Sequence, residues 1–99
     1  MDTETKDSIK QALAQCLGQA PEIRKIVVFG SFLRSESPND LDVAIFQDSS
    51  ESYLPLALKY RRMARMVSRQ IPMDIIPLRP DASGLMMDEI AQGEVIYER

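Results

Sequence analysis

The chain has 99 residues, of which 44% are hydrophobic and 27% are charged, and it carries a net charge of −3 with a pI of about 4.9. This length predicts a single domain over residues 1–99 with one modest core, and the acidic balance argues against direct nucleic-acid binding. One cysteine and no histidine argue against a disulfide framework and a zinc site, so we expect any catalysis to rest on carboxylates, hydroxyls or cations.

The N-terminus lacks the basic and apolar regions of a signal peptide. No apolar run approaches the roughly 20 residues that are needed to span a bilayer. We therefore expect a cytoplasmic protein that does not enter a membrane.

Helices and strands are predicted in the order α-β-β-α-β-α-β. The predicted helices cover residues 3–17, 52–69 and 82–92, and the predicted strands cover residues 25–29, 41–46, 72–78 and 94–97. Residues 30–37 are predicted as a turn or a short helical segment. Strands interleaved with helices in this way predict an α/β (α+β) domain in which a small mixed β-sheet is backed by helices.

The second predicted helix has two faces. Its apolar stripe is predicted to contain Tyr53, Ala57, Tyr60, Ala64 and Val67. Its other face carries the arginines Arg61, Arg62, Arg65 and Arg69. A solvated helix face is the simpler interpretation of these arginines, and a docking face for an acidic partner or for RNA is the alternative.

Two aspartates mark the start of the second strand. Side chains alternate along a strand, so Asp40 and Asp42 are expected to project on the same side. Aspartate is depleted in strands, and two carboxylates about 4 Å apart repel by roughly 4 kcal/mol at an effective dielectric of 20. A bound hard cation such as Mg²⁺ would reverse this repulsion, although a solvated strand entry also explains the pair.

Asp74 is a third acidic residue, and it lies in an otherwise apolar strand. If that strand lies beside the second one, Asp74 can join Asp40 and Asp42. Three convergent carboxylates can hold two metal ions for a phosphoryl-type transfer, and Asp74 could also accept a proton from a hydroxyl. A strand-end aspartate that faces water is the competing interpretation.

The first strand runs directly into Gly30 and Ser31. Glycine lets the backbone turn tightly beside a ligand, and Ser31 can offer a hydroxyl and a backbone N–H to a phosphate. A serine helix cap explains the same dipeptide. Arg34, three residues later, either reaches a phosphate or pairs with Glu36 or with an aspartate of the site.

These residues together resemble the signature of the polymerase-β-like nucleotidyltransferase superfamily. The resemblance lies in Gly30-Ser31-Phe32-Leu33-Arg34, in Asn39-Asp40-Leu41-Asp42-Val43 and in the later Asp74. Asn39 stands where the family often has serine, and it can still turn the chain. The short chain and its ending, residues 90–97, resemble the minimal nucleotidyltransferase (MNT) branch.

The resemblance implies a nucleotidyltransferase fold that moves a nucleoside monophosphate from a triphosphate, here ATP, to a hydroxyl with two Mg²⁺ ions. By this likeness Gly30 and Ser31, with Arg34 in the same pattern, would bind the nucleotide. Asp40 and Asp42 would hold the metal ions. Asp74 would complete the metal site and help to activate the acceptor.

Minimal members of the family are often antitoxins that pair with a helical HEPN ribonuclease toxin, and some add AMP to a tyrosine of that toxin. The resemblance therefore implies a protein adenylyltransferase that works in a hetero-oligomer with a HEPN toxin. The chain ends soon after its last predicted strand, so we expect the acceptor to be a separate macromolecule. Two alternatives stay open: a non-catalytic antitoxin that neutralises its partner by binding alone, and a small-molecule nucleotidyltransferase.

Overall fold

The computed structural model describes residues 1–99 and contains helices and strands that alternate along the chain. They are α1 (Thr3–Leu17), β1 (Ile23–Phe29), α2 (Ser31–Arg34), β2 (Leu41–Gln47), α3 (Tyr53–Met63), α4 (Arg65–Ser68), β3 (Met73–Leu78), α5 (Met86–Ala91) and β4 (Glu94–Glu98). No helix combines the length and the apolar character that crossing a bilayer requires.

The four strands form one sheet in the order β3-β2-β1-β4. Strand β1 is antiparallel to both β2 and β4, whereas β2 and β3 are parallel. The predicted small mixed sheet is therefore confirmed. The register places Asp42 of β2 opposite Phe29 of β1 and opposite Asp74 of β3.

Strand alternation divides the core between the two faces of the sheet. Leu41, Val43 and Ile45 of β2 belong to the larger cluster, which α1 and α3 cover. Ala44 and Phe46 belong to a smaller cluster, to which α5 contributes Ile90. One face is thus covered by long helices, while the other, on which the alternation places Asp42, is covered only in part.

A hydrogen-bonded network ties the turn before β1 to α3. The Lys59 ammonium and the Tyr60 hydroxyl both donate to the Glu22 carboxylate, each at 2.8 Å. Burial of Glu22 opposes its ionisation, but the hydrogen bond from Lys59 and those from the backbone and Tyr60 outweigh burial and lower its pKa. For Tyr60, burial and the bond to Glu22 both raise the pKa of the phenol. Glu22 is therefore a paired, structural carboxylate.

The second predicted helix differs from the structure in two respects. It breaks at Ala64, where φ is −98° and ψ is 16°, and the short helix α4 follows with Val67 fully buried. The apolar stripe also differs, because Leu56 is buried and Tyr53 is 52% exposed. The prediction that Tyr53 belongs to the stripe was wrong.

The third predicted helix, residues 82–92, is shorter in the structure. The chain is still turning at its predicted start, where the Ala82 N–H donates to the Arg79 carbonyl at 3.0 Å. Helix α5 begins only at Met86 and ends at Ala91. Strand bounds differ from the prediction by no more than two residues at either end.

Candidate active site

The turn after β1 brings the backbone against the carboxylate of Asp42. Gly30 has φ 81° and ψ −155°, a conformation that side-chain-bearing residues rarely adopt. A Cβ atom at this position would lie 2.6 Å from Oδ2 of Asp42. Glycine is therefore required both by the backbone conformation and by the space that the Asp42 carboxylate occupies.

The segment after Gly30 is a single helical turn. Ser31 is its first residue and is exposed, and Phe32 is fully buried beneath it. The Ser35 N–H closes the turn on the Ser31 carbonyl at 2.8 Å. The predicted short helical segment is thus present, but four residues give only a weak helix dipole. Ser31 can therefore offer its hydroxyl and backbone N–H, with little help from a helix terminus.

The three predicted aspartates lie at the end of the sheet where β2 and β3 begin. Asp40 immediately precedes β2, Asp42 lies within it, and Asp74 is the parallel register partner of Asp42 on β3. The Leu41 N–H donates to the Pro72 carbonyl at 2.9 Å, which locks the two strand starts together. Asp40 and Asp42 are half-buried, and Asp74 is exposed. The strand pairing on which the three-carboxylate prediction depended is therefore present.

Unbalanced negative charge surrounds Asp42. Partial burial raises the pKa of the Asp42 carboxyl, and the charges of Asp40, Asp74 and Glu89 raise it further. None of these four carboxylates forms an ion pair with a lysine or an arginine. The site therefore favours a positively charged ligand.

The chemistry of this donor set fits magnesium, which prefers carboxylate oxygens. In their present side-chain positions, however, no three carboxylates form a group compact enough to hold one ion. The backbone places the ligands on adjacent strands, and side-chain rotation would have to bring them together around an ion.

Helix α5 adds two polar side chains that the sequence did not single out. A Cβ at Gly93 would lie 2.5 Å from the Val28 carbonyl oxygen, so the end of α5 packs directly on β1. Glu89 and Gln92 consequently line a cavity of about 230 Å³ together with Gly30, Leu33 and Arg34. The only signal in the sequence was Gly93 at the helix end, which does not reveal the strand that the helix contacts.

Arg34 lies exposed at the border of this cavity. It makes no ion pair, so the predicted alternative in which it pairs with Glu36 or with an aspartate is absent. Arg34 also borders a second concavity of about 500 Å³ that Lys6 lines. Its guanidinium is therefore available to an anion beside the Gly30 turn.

A wider concavity of about 600 Å³ lies elsewhere, between α1 and β4, and contains none of the predicted site residues. It is open and largely polar, and its only ion pairs are those of Lys10 with Asp7 and Glu94. The candidate site residues instead lie at the end of the sheet where β1 ends and β2 and β3 begin.

The sequence model of the family described as "Polymerase beta, Nucleotidyltransferase" matches residues 11–99. The chain therefore belongs to this nucleotidyltransferase family, as its motifs predicted. No curated protein matches the chain in sequence.

Solved structures of toxin–antitoxin complexes contain chains with a similar fold. One, the MntA-HepT toxin–antitoxin, has a TM-score of 0.68 at 14% identity, covering 94% of this chain and 73% of that chain. A second contains a tri-AMPylated Shewanella oneidensis HEPN toxin in complex with MNT antitoxin, with a TM-score of 0.70 at 14% identity, covering 95% of this chain and 73% of that chain.

A third is a toxin–antitoxin with AMP-PNP, which has a TM-score of 0.66 at 18% identity and covers 91% of this chain and 73% of that chain. At these identities the likeness shows the fold alone. The predicted nucleotidyltransferase fold is thereby confirmed.

Proposed function

We propose that the chain is a Mg²⁺-dependent nucleotidyltransferase that moves AMP from ATP to a tyrosine hydroxyl of a partner HEPN toxin and so acts as an antitoxin. Membership of the nucleotidyltransferase family supplies the class of reaction. The observation that carries the proposal is the pairing of Asp42 with Asp74 on neighbouring parallel strands, directly beside the Gly30 turn.

The Gly30 turn and the cavity next to it would receive the nucleotide. The backbone at Gly30 and the exposed Ser31 present polar groups to the phosphates, and Arg34 supplies positive charge at the rim. Glu89 and Gln92 offer hydrogen-bonding groups on the opposite wall of the cavity. The triphosphate would then lie between Arg34 and the carboxylates.

Asp40, Asp42 and Asp74 would hold two magnesium ions. Magnesium bound there would neutralise triphosphate oxygens and polarise the α-phosphorus. The repulsion that raises the pKa of Asp42 would be relieved in that state, because each carboxylate would face a cation instead of another carboxylate. The chain holds these aspartates at the starts of β2 and β3, which the hydrogen bond from Leu41 to Pro72 joins.

The transfer itself forms one bond and breaks one. The acceptor oxygen bonds to the α-phosphorus of ATP while the bond from that phosphorus to the leaving pyrophosphate breaks. The acceptor proton passes to a carboxylate, and Asp74 is suited to accept it because it is exposed and the chain has no histidine. The products are an AMP–tyrosine phosphodiester and pyrophosphate.

The structural neighbours support the choice of acceptor. They come from toxin–antitoxin complexes, one with a tri-AMPylated HEPN toxin and another with AMP-PNP. An exposed Asp74 on an edge strand is compatible with an acceptor side chain that arrives from a separate protein.

The test is to combine the chain with Mg²⁺, ATP labelled at the α-phosphate and a HEPN protein, taken from the neighbouring gene where that gene encodes one. We expect label on the partner, loss of label when its acceptor tyrosine is replaced by phenylalanine, and no label with Asp42→Asn. Absence of label, together with neutralisation that survives Asp40→Ala and Asp42→Ala, would establish the binding-only alternative. Label on a small alcohol but not on the partner would establish the small-molecule alternative.

A further inference from the structure

Charge is strongly segregated along this chain. Residues 53–69, which comprise α3, α4 and the adjoining Ala64 and Arg69, carry five basic and no acidic side chains, while the remainder carries seven basic and fifteen acidic side chains. An acidic protein thus bears one concentrated basic surface. Such a surface attracts acidic partners even though the net charge is negative.

The arginines of this surface form no ion pair within the chain. Arg61, Arg62, Arg65 and Arg69 are all exposed. Lys59, by contrast, is bound to Glu22 at 2.8 Å. Arg69 donates a hydrogen bond to Met66 Sδ at 3.6 Å, so the guanidinium groups of Arg61, Arg62 and Arg65 remain free to bind carboxylates outside the chain.

Apolar side chains are interspersed with these arginines. Leu54 and Leu58 are 70% and 55% exposed and lie on the side of α3 opposite its buried Leu56 and Tyr60. Their spacing of four residues continues to Arg62, so the three side chains form one row. On α4, Met66 is 66% exposed. Leu54 and Leu58, one helical turn apart, thus add an apolar strip to the basic surface.

We propose that the surface made of Leu54, Leu58, Arg61, Arg62, Arg65 and Met66, here called the α3–α4 face, docks an acidic helical surface of the acceptor protein. The identity of that protein rests on the proposed function, whereas the chemistry of the face does not. Carboxylates of the partner would pair with the arginines, and an apolar ridge of the partner would cover the two leucines.

A nucleic acid fits the face less well. It would satisfy the arginines, but its phosphates would leave Leu54 and Leu58 without apolar contact. A second copy of this chain also has acidic side chains to offer, since fifteen lie outside residues 53–69, and the sedimentation measurement below tests that occupant.

One member of the α3–α4 face, Arg61, lies against the strand that carries Asp74. Arg61 and Ser68 border a small cavity with Met73 and Ile75, so α3 and α4 lie directly against β3. Asp74 lies between those two residues on the same strand and points to the other side of the sheet. Because β3 is an edge strand, a protein held on the α3–α4 face can reach around that edge to Asp74.

The experiment measures binding of the HEPN partner by calorimetry with Leu58→Asp/Arg62→Glu. The control is Gln11→Glu/Gln15→Glu/Gln19→Glu, which changes the net charge by the same amount on exposed positions of α1 and the turn after it. We expect Kd to rise about 30-fold or more in the first variant and less than about threefold in the control. Equal weakening in both variants, or in neither, would overturn the proposal.

Three further measurements separate the outcomes. Asp42→Asn should bind the partner with unchanged Kd, so a failure of AMP transfer does not affect the docking result. A fluorescent single-stranded RNA whose binding is lost in Leu58→Asp/Arg62→Glu would assign the face to RNA and overturn the proposal. A dimer of the free chain that the same variant dissociates, seen by sedimentation, would assign the face to self-association and also overturn it.

Discussion

Glu22 and Asp42 are both half-buried carboxylates, and their surroundings differ completely. Glu22 accepts hydrogen bonds from Lys59 and Tyr60, and its pKa is lowered in spite of burial. Asp42 is surrounded by three other acids and has no cationic partner, and burial together with those charges raises its pKa. A carboxylate paired within the chain serves stability, whereas one left unpaired within a cluster of acids favours a cationic ligand from outside.

The largest expected effect is on activity. Asp42→Asn removes a proposed metal ligand while keeping the size of the side chain, so AMP transfer should fall about a thousandfold or more. Glu22→Gln, assayed at a temperature where it remains folded, should transfer AMP at a rate within about threefold of the parent's rate. Single-turnover labelling of the partner measures both. Similar losses in the two variants would abolish the distinction between a functional and a structural carboxylate.

Gly30→Ala is expected to affect both stability and activity. The added Cβ meets Oδ2 of Asp42, and alanine is strained at φ 81°, so we expect a loss of about 2 kcal/mol of unfolding free energy. Because the Asp42 side chain must move, transfer should fall as well. The double variant Gly30→Ala/Asp42→Ala gives the control, since it removes the clash and should recover part of the stability. If it recovers none, backbone strain alone explains the loss.

Glu22→Gln sharpens the structural half of the comparison. It removes the negative charge that binds Lys59 and replaces the carboxylate oxygen that accepts from Tyr60 with a weaker amide oxygen. We expect the free energy of unfolding to fall by about 1.5 kcal/mol at pH 7. Because the pKa of Glu22 is lowered by folding, this stabilisation is present above the unfolded pKa of about 4.3 and is lost as pH falls through the folded pKa. Urea unfolding of both proteins at pH 7 and near pH 3 measures the difference. A cost that is independent of pH would mean that the charge of Glu22 does not matter.

Asp42→Asn should show the opposite dependence in stability. Folding raises the pKa of Asp42, so its ionised form destabilises the fold above the folded pKa, and the penalty disappears below the unfolded value of about 4. The variant should therefore be slightly more stable than the parent at pH 7, by less than about 1 kcal/mol, and equal to it near pH 3. Paired denaturation curves at the two pH values test the sign. A less stable variant at pH 7 would show that the ionised carboxylate is stabilised by a contact within the chain.

Local patterns predicted most of the fold. Short apolar runs located β1, β2 and β3, and helical spacing located α1. The break at Ala64 and the exposure of Tyr53 were missed because helical spacing neither marks a break nor decides whether Tyr53 or Leu56 is the buried residue. Helical periodicity predicts which residues share a face of a helix, but it does not predict where the helix breaks.

The candidate site was predictable as residue types but not as contacts. Gly30, Asp42 and Asp74 could be singled out from their chemistry, whereas the approach of Gly30 to the Asp42 carboxylate depends on the β1–β2 register. Glu89 and Gln92 were missed because they reach the site only through the docking of α5 on β1. The exposed leucines among the arginines of α3 also required the structure, because their exposure depends on which side of the helix is buried.

The most direct test compares the parent, Asp42→Asn and Glu22→Gln in one AMP-transfer assay with α-labelled ATP, Mg²⁺ and the HEPN partner. Unpaired carboxylates at the sheet edge are predicted to carry the reaction, so the parent and Glu22→Gln should label the partner and Asp42→Asn should not. Labelling by Asp42→Asn at the rate of the parent would contradict this account.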